Sequence, residues 1–136
     1  MKSDSHKKLQ EIVRDYYRQQ GWIAIIEAFV RGKKIDVLSQ NVKTKYTIAN
    51  EIQLSPQHFL ENIHLDFRAG CDEVKIICID KMVLERIRKK TFQELNKELL
   101  EKTKFQFIEE FITPKTTICG EENLKKEGGE ESGKTN

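Results

Sequence analysis

Long apolar runs are missing from this sequence, and no stretch approaches the roughly 20 apolar residues that a helix needs to cross a bilayer. The first residues, from Met1 to His6, lead into a charged helix and lack the apolar segment of a secretory signal peptide. We therefore expect a cytoplasmic protein that has no membrane partner.

Cysteine is scarce, and the three residues present are Cys71, Cys78 and Cys119. An odd count without paired spacing argues against a disulfide framework and against a zinc site. Cys78 lies in the apolar run 74–79 and is interpreted as a small buried hydrophobic residue. We expect a structural or incidental role for all three.

Proline is also rare, with two residues in the chain, and each stands at a predicted boundary. Ser55-Pro56 predicts the start of a helix, because Ser55 suits the N-cap and Pro56 at the first helical position gives up no needed hydrogen bond. Thr113-Pro114 breaks the apolar pattern after the last predicted strand.

Charge of one sign is not in large excess, since the formal net charge is +2. Residues 120–136 hold five acidic and three basic residues, whereas residues 1–119 hold 21 basic and 17 acidic residues. The positive excess of the longer segment fits a polyanionic partner. Because the last 17 residues are rich in Glu and Gly, we predict a single domain over 1–119 and a charged, disordered tail over 120–136.

The sequence has no internal repeat, and its apolar pattern predicts the element order αβββαβαβ. Helices are predicted over about 5–20, 55–70 and 80–102, and strands over about 22–30, 34–38, 46–54, 73–79 and 105–111. The first three strands can form an antiparallel meander, and each later strand follows a helix, which implies crossover connections. The expected class is α/β, with a central mixed five-stranded sheet flanked by helices.

Two carboxylates stand on neighbouring predicted strands. Asp36 lies in the short apolar run 34–38, and Glu51 lies near the end of the run 46–54, two residues before Gln53. Because side chains alternate along a strand, Glu51 and Gln53 share one face while Ile52 points away. Two carboxylates on adjacent strands favour a hard divalent cation, as metal-dependent cleavage of a phosphodiester requires.

This arrangement, an Asp strand followed by a Glu-x-Gln strand and then a helix, resembles the PD-(D/E)XK nuclease superfamily. The resemblance covers about residues 5–112 and is sharpest in Lys34–Leu38 and Ala49–Ser55. It is closest to the restriction-endonuclease-like and Holliday junction resolvase-like members, which are small and often dimeric. The resemblance implies a restriction-endonuclease-like fold and a Mg²⁺-dependent DNA endonuclease, with Mn²⁺ as a substitute metal, acting as a homodimer, alone or beside a helicase or translocase.

The resemblance also implies a set of site residues. Asp36 and Glu51 would bind Mg²⁺, with the backbone carbonyl of Ile52 as a third ligand, and a metal-bound water would attack the phosphorus. Gln53 stands where the superfamily usually has lysine, and its amide can position that water but supplies no positive charge. A nearby basic residue is expected to supply this charge, and the candidates are Lys33, Lys34 and Arg68.

Two further acidic residues are candidates to complete the site. Glu27 is the only charge in the apolar run 23–30, where a buried lone carboxylate would need a cation or hydrogen-bond donors. A solvated position on an exposed patch is the equal alternative. Glu11 lies almost opposite the apolar stripe of the first helix, which favours simple exposure to solvent.

Nucleic acid is the expected partner, and the start of the second helix is the expected contact. Its free N–H groups and positive dipole end suit a phosphate, and Gln57 and His58 lie there. Lys33, Lys34 and Arg68 complete the predicted nucleic-acid-binding set. A surface or packing role remains the alternative for His58, and the sequence does not separate DNA from RNA.

Two other groups have simpler explanations than nucleic-acid binding. Tyr16 and Tyr17 lie on the apolar stripe of the first helix, so core packing is predicted over base stacking. The basic cluster of the third helix fits a solvated face as well as a phosphate contact; it comprises Arg86, Arg88, Lys89 and Lys90.

Two other functions therefore stand beside the nuclease. The first is a non-catalytic nucleic-acid-binding or assembly module that retains the nuclease fold, which the Gln53 substitution and the modest net charge favour. The second is an unrelated α/β interaction domain in which the acidic pair is coincidental.

Overall fold

The computed structural model describes residues 4–112, which form four α-helices, five strands and one short 3₁₀ helix. The helices are α1 (Asp4–Gln19), α2 (Phe59–Arg68), α3 (Lys81–Glu94) and α4 (Lys97–Leu100), and the 3₁₀ helix is Ile108–Phe111. The strands are β1 (Ile23–Val30), β2 (Lys33–Gln40), β3 (Thr47–Ile52), β4 (Glu73–Cys78) and β5 (Thr103–Phe107). None of the helices described here is long and apolar enough to cross a membrane. The predicted tail, 120–136, lies outside the described residues.

All five strands form one sheet in the order β1-β2-β3-β4-β5. The first three strands pair antiparallel as a meander, while β3 with β4 and β4 with β5 pair in parallel. The prediction of a mixed sheet with crossover connections is therefore confirmed. Strand β4 is central among the parallel pairs, and this explains why its residues 74–78 are almost uniformly apolar.

Two hydrophobic clusters cover the two faces of this sheet. On one face α1 packs against the sheet through Val13 and Tyr17, together with Phe111 from the 3₁₀ helix. On the other face α2 and α3 supply the second cluster through Ile63 and Ile87. The predicted arrangement of helices on both faces is therefore confirmed.

A buried polar network lies within the α1-side cluster. The Tyr17 hydroxyl donates to Asn50 Oδ1 at 3.0 Å, and Lys75 Nζ donates to the Tyr17 oxygen at 2.9 Å. Asn50 Nδ2 in turn donates to Ser39 Oγ at 3.0 Å. Tyr17 is buried, as predicted for a core residue, and its hydroxyl fixes α1 to the central strands.

The predicted start of the second helix is wrong. Helix α2 begins at Phe59, three residues after Pro56, and His58 precedes it with φ 62° and no side-chain cap. The reason is that the amide of Gln53 donates to the carbonyl oxygens of Ser55 and Gln57, at 3.1 and 3.2 Å. These bonds hold the segment before Phe59 as an irregular loop.

The predicted extent of the third helix is also wrong at its C-terminal end. Asp80 caps α3 as predicted, by accepting hydrogen bonds from the N–H groups of Met82 and Val83. The helix ends at Glu94, because buried Leu95 is extended and Asn96 then caps the separate helix α4.

The last strand is shorter than predicted. Strand β5 ends at Phe107, and Phe111 lies in the 3₁₀ helix that follows, where its ring packs edge-on against Tyr16. A core contact to α1 therefore accounts for Phe111, which the alternation pattern places in the last strand.

Candidate active site between strands β2 and β3

Strand β2 is irregular at Asp36. The β1–β2 ladder is in register on both sides of this residue, which places Glu27 opposite Asp36. Glu27 has φ 52°, an uncommon value for a residue other than glycine. Ile35 packs in the α2-side cluster and Val37 in the α1-side cluster, although residues two apart in a strand normally share a face. The alternation of faces therefore breaks at Asp36.

The carboxylate of Asp36 is anchored to the end of β3. Its Oδ2 accepts a hydrogen bond from the backbone N–H of Ile52 at 2.9 Å. Helix α1 supplies two more contacts: His6 Nε2 lies 3.6 Å from the same oxygen, and Gln10 Nε2 donates to the backbone oxygen of Asp36 at 3.2 Å. Asp36 therefore lies where α1, β2 and β3 meet.

Glu51 and Asp66 form a buried acid–lysine cluster with Lys33. The Lys33 ammonium donates to Glu51 Oε2 at 2.9 Å and lies 3.0 Å from Asp66 Oδ1. The side chains of Glu51 and Asp66 are 4% and 0% exposed, and that of Lys33 is 15% exposed. One cation therefore serves two carboxyl groups that are almost removed from water.

The pKa values of all three groups are shifted by this arrangement. Burial raises the pKa of Glu51, and a hydrogen bond with Asp66 and the charges of Asp66 and Asp36 raise it further. Burial also raises the pKa of Asp66. Burial would lower the pKa of Lys33, but the charges of Glu51 and Asp66 outweigh it and raise that pKa. These directions favour a charged lysine and the retention of a proton by the carboxyl pair.

The surroundings of Asp66 agree with a shared proton. Among residues 4–112 the Lys33 ammonium, 3.0 Å from Oδ1, is the only donor that approaches the carboxyl group of Asp66, and neither oxygen accepts a hydrogen bond from a backbone N–H or a hydroxyl group. A buried carboxylate with so few donors is costly. A proton on Glu51 would supply a further donor to Asp66, in agreement with the raised pKa of Glu51.

Gln53 lies at the end of β3, with both ends of its amide engaged. Its Oε1 accepts from Asn62 Nδ2 of helix α2 at 3.3 Å, and its Nε2 donates to the carbonyls of the loop that precedes α2. The predicted role of Gln53 in positioning a water would require some of these bonds to break. In this arrangement Gln53 connects β3 to α2.

The other predicted residues lie around the cluster rather than in it. Lys34, Gln57, His58 and Arg68 are exposed, as is the alternative acid Glu11. Lys33 was predicted to contact nucleic acid, but its ammonium is directed at Glu51 and Asp66. Glu27 is half-buried on the neighbouring strand.

Sequence reasoning missed three residues of this region: His6, Gln10 and Asp66. The spacing of His6, Gln10, Val13 and Tyr17 follows one face of α1, and all four are buried. Asp66 follows Ile63 by three residues on the inner face of α2. The available signal was a polar residue at an apolar position of a helical stripe, which is costly unless it has a partner.

The acidic side chains of this region carry oxygens of the kind that Mg²⁺ binds, but they do not form a metal site in the described residues. Asp36, Glu51 and Asp66 offer the carboxylates that this cation prefers. Within residues 4–112, however, no three His, Cys, Asp or Glu side chains are placed so that they could hold a metal ion together. The Lys33 ammonium instead occupies the position between Glu51 and Asp66.

Comparison with protein-family models, with curated proteins and with solved structures finds no match to this chain.

Proposed function

We propose that the protein is a metal-dependent endonuclease that hydrolyses phosphodiester bonds in DNA, with a restriction-endonuclease-like fold. The observation that carries this proposal is that Asp36 and Glu51 lie on adjacent strands, close enough for the charge of Asp36 to raise the pKa of Glu51, with the Lys33 ammonium 2.9 Å from Glu51. Two carboxylates and a lysine are the groups that this chemistry needs. The lysine comes from β2, while the position after Ile52 is Gln53.

Each side chain has a role in the proposed reaction. Asp36 and Glu51 would hold Mg²⁺, which when bound supplies an acidic water and positive charge. Lys33 would stabilise negative charge on the phosphate, the contribution that Gln53 cannot make. Asp66 holds the Lys33 ammonium beside Glu51, and Gln53 fixes the loop that joins β3 to α2. Metal binding requires Glu51 to lose its proton, so affinity should rise with pH.

A non-catalytic nucleic-acid-binding or assembly module is the second candidate. The hydrogen bonds of Gln53 and the position of Lys33 between the carboxyl groups favour it, because both describe a site that is internally satisfied without a metal. In that case the acid–lysine cluster serves only to join β2, β3 and α2.

A cleavage assay separates the two candidates. Plasmid, linear, single-stranded and four-way-junction DNA and a single-stranded RNA are incubated with the protein in Mg²⁺, Mn²⁺ or EDTA, using the wild type, Asp36→Asn and Glu51→Gln. Glu11→Gln is the matched control, since Glu11 is an exposed acid on α1. The nuclease predicts metal-dependent cleavage that is lost in both site variants and kept in the control. Binding without cleavage, equal in all four proteins, would support the module.

A further inference from the structure

A basic cleft lies beside the acid–lysine cluster, between the β1–β2 turn and the last turn of α2. Its volume is about 170 Å³, and it is lined by Arg31, Gly32, Lys33, Leu65, Arg68 and Ala69. Since one water occupies about 30 Å³ of liquid, the cleft has room for a group of several heavy atoms. Three of its six lining residues are cationic, which points to an anionic occupant.

The β1–β2 turn fixes the position of Arg31. Val30 pairs with Lys33, and the two residues between them have φ values of 50° at Arg31 and 83° at Gly32. Positive φ at both central residues is the mark of a type I′ hairpin, a tight turn that suits the twist of the strands. The Arg31 guanidinium reaches Gly70, where it lies 3.9 Å from the place a Cβ would occupy. The tight turn therefore places the Arg31 side chain along the cleft, beside the end of α2.

The donors of the two arginines are available. In the part of the chain that the structure describes, neither Arg31 nor Arg68 forms an ion pair or a side-chain hydrogen bond. The end of α2 does not use them either, because the carbonyl oxygens there are capped by the chain itself. Those of Leu65, Asp66 and Phe67 accept from the N–H groups of Ala69, Cys71 and Gly70.

The neighbouring charges also favour an anion. Lys33 lines the cleft, and its ammonium balances one of the two carboxyl groups that it contacts, Glu51 and Asp66. Arg31 and Arg68 then add two positive charges without any acidic partner in the cleft lining. Two guanidinium groups present planar, forked donors that match phosphate oxygens.

We propose that the cleft formed by Arg31, Lys33 and Arg68 binds a phosphate group of a nucleic-acid backbone. The anion site depends only on the residues of the cleft. The assignment of the phosphate to a nucleic-acid backbone rests on the proposed function, and it would place one phosphate of the strand beside Lys33.

Inorganic phosphate tests the anion site first. The side-chain Nε–H signals of the arginines are followed by NMR at constant ionic strength while phosphate replaces chloride. We expect saturable shifts at Arg31 and Arg68 that disappear in Arg31→Gln/Arg68→Gln. Arg88→Gln is the matched control, since Arg88 is an exposed arginine on α3 that pairs with Glu85, and it should bind phosphate as the wild type does. Absence of saturable shifts, or an equal loss in the control, would overturn the proposal.

An oligonucleotide tests the source of the phosphate. Each phosphate contact contributes about 0.9 to the slope of log affinity against log salt, so Arg31→Gln/Arg68→Gln should lower the slope by about 1 and weaken binding several-fold. If phosphate binds but the slope is unchanged, the backbone assignment is overturned and a free phosphate compound is the occupant. DNA cleavage is measured separately, by comparing the wild type with Asp36→Asn. The nuclease proposal and the phosphate-site proposal can therefore fail independently of each other.

Discussion

Lys33 is the residue on which the candidate site depends most. Its ammonium is the only cation that contacts Glu51 and Asp66 among residues 4–112, and both carboxyl groups are buried. Removing one partner from a buried ion pair costs more than the pair contributes, because the other partner stays buried without compensation. A structural effect of Lys33 must therefore be separated from any catalytic effect.

We predict that Lys33→Met destabilises the protein by about 3–5 kcal/mol, since it leaves two buried carboxyl groups without a cation. Urea unfolding at neutral pH measures this change. Lys34→Met, at the exposed neighbouring position, should stay within about 0.5 kcal/mol of the wild type. Equal losses in the two variants would mean that the contacts of Lys33 do not stabilise the fold.

The thiols of Cys71 and Cys78 are predicted to be inert in the folded protein. Burial, together with the charge of a nearby carboxylate (Asp66 for Cys71 and Asp80 for Cys78), raises the pKa of each thiol to about 12. The thiolate is the reactive form, so a disulfide reagent at pH 8 should label neither residue until urea is added. The measurement uses the Cys119→Ser variant, because Cys119 lies outside the described residues and its own labelling would mask that of Cys71 and Cys78. Rapid labelling of the native variant would contradict the burial of these cysteines.

At the scale of elements, the candidate site is positioned by the irregularity of strand β2 at Asp36 and by the loop that follows strand β3. The alternation of faces along β2 fails at Asp36, which brings its carboxylate to the N–H of Ile52. The loop after β3 is held by Gln53, which also accepts from Asn62 of α2. These two irregular segments place residues from β2, β3 and α2 together.

We predict that Gln53→Lys loosens the start of α2. A lysine cannot accept from Asn62, and its longer side chain places its donors differently from the Gln53 amide that donates to the loop carbonyls. Amide hydrogen exchange should become faster between about Leu54 and Asn62, while the protection of the distant strand β5 is retained. Gln57→Lys is a suitable control, because only the backbone of Gln57 takes part in these bonds. Unchanged amide exchange in Gln53→Lys would show that the Gln53 side chain does not stabilise the loop before α2.

The elements were predictable to different extents for identifiable reasons. The strands and their order along the chain follow from short apolar runs, and the placement of Asp36 and Glu51 on adjacent strands follows from the predicted meander. The start of α2 was not predictable from Ser55-Pro56, because the side chain of Gln53 overrides this local signal. The partnership of Lys33 with Asp66 joins residues 33 positions apart and depends on the packing of α2 on the sheet. No spacing in the sequence reports such a contact.

For the whole molecule, the acid–lysine cluster predicts how stability depends on pH. The pKa values of Glu51 and Asp66 are raised in the folded state, so the folded protein retains a proton that the unfolded chain has lost above the ordinary carboxyl pKa of about 4. Stability therefore falls as the pH rises through this range. The raised pKa of Lys33 contributes nothing to the slope here, because lysine is charged in both states.

Glu51→Gln tests this dependence, because a glutamine resembles the protonated carboxyl group. Between about pH 5 and about pH 8 the free energy of unfolding of the wild type should fall, while that of Glu51→Gln should fall less. The difference between them, variant minus wild type, should therefore increase with pH. The exposed control Glu11→Gln should show no such trend. A difference between Glu51→Gln and the wild type that is independent of pH would contradict the shared proton.

The central claim is that Asp36 and Glu51 together hold a divalent cation, and this claim sets the nuclease apart from a module in which the cluster is purely structural. The most direct measurement is a titration of the protein with Mn²⁺ followed by electron paramagnetic resonance, which counts free and bound ions. The nuclease predicts saturable binding by the wild type and by Glu11→Gln, tightening as the pH rises, and no saturable binding by Glu51→Gln. Absence of binding by the wild type, or undiminished binding by Glu51→Gln, would contradict it.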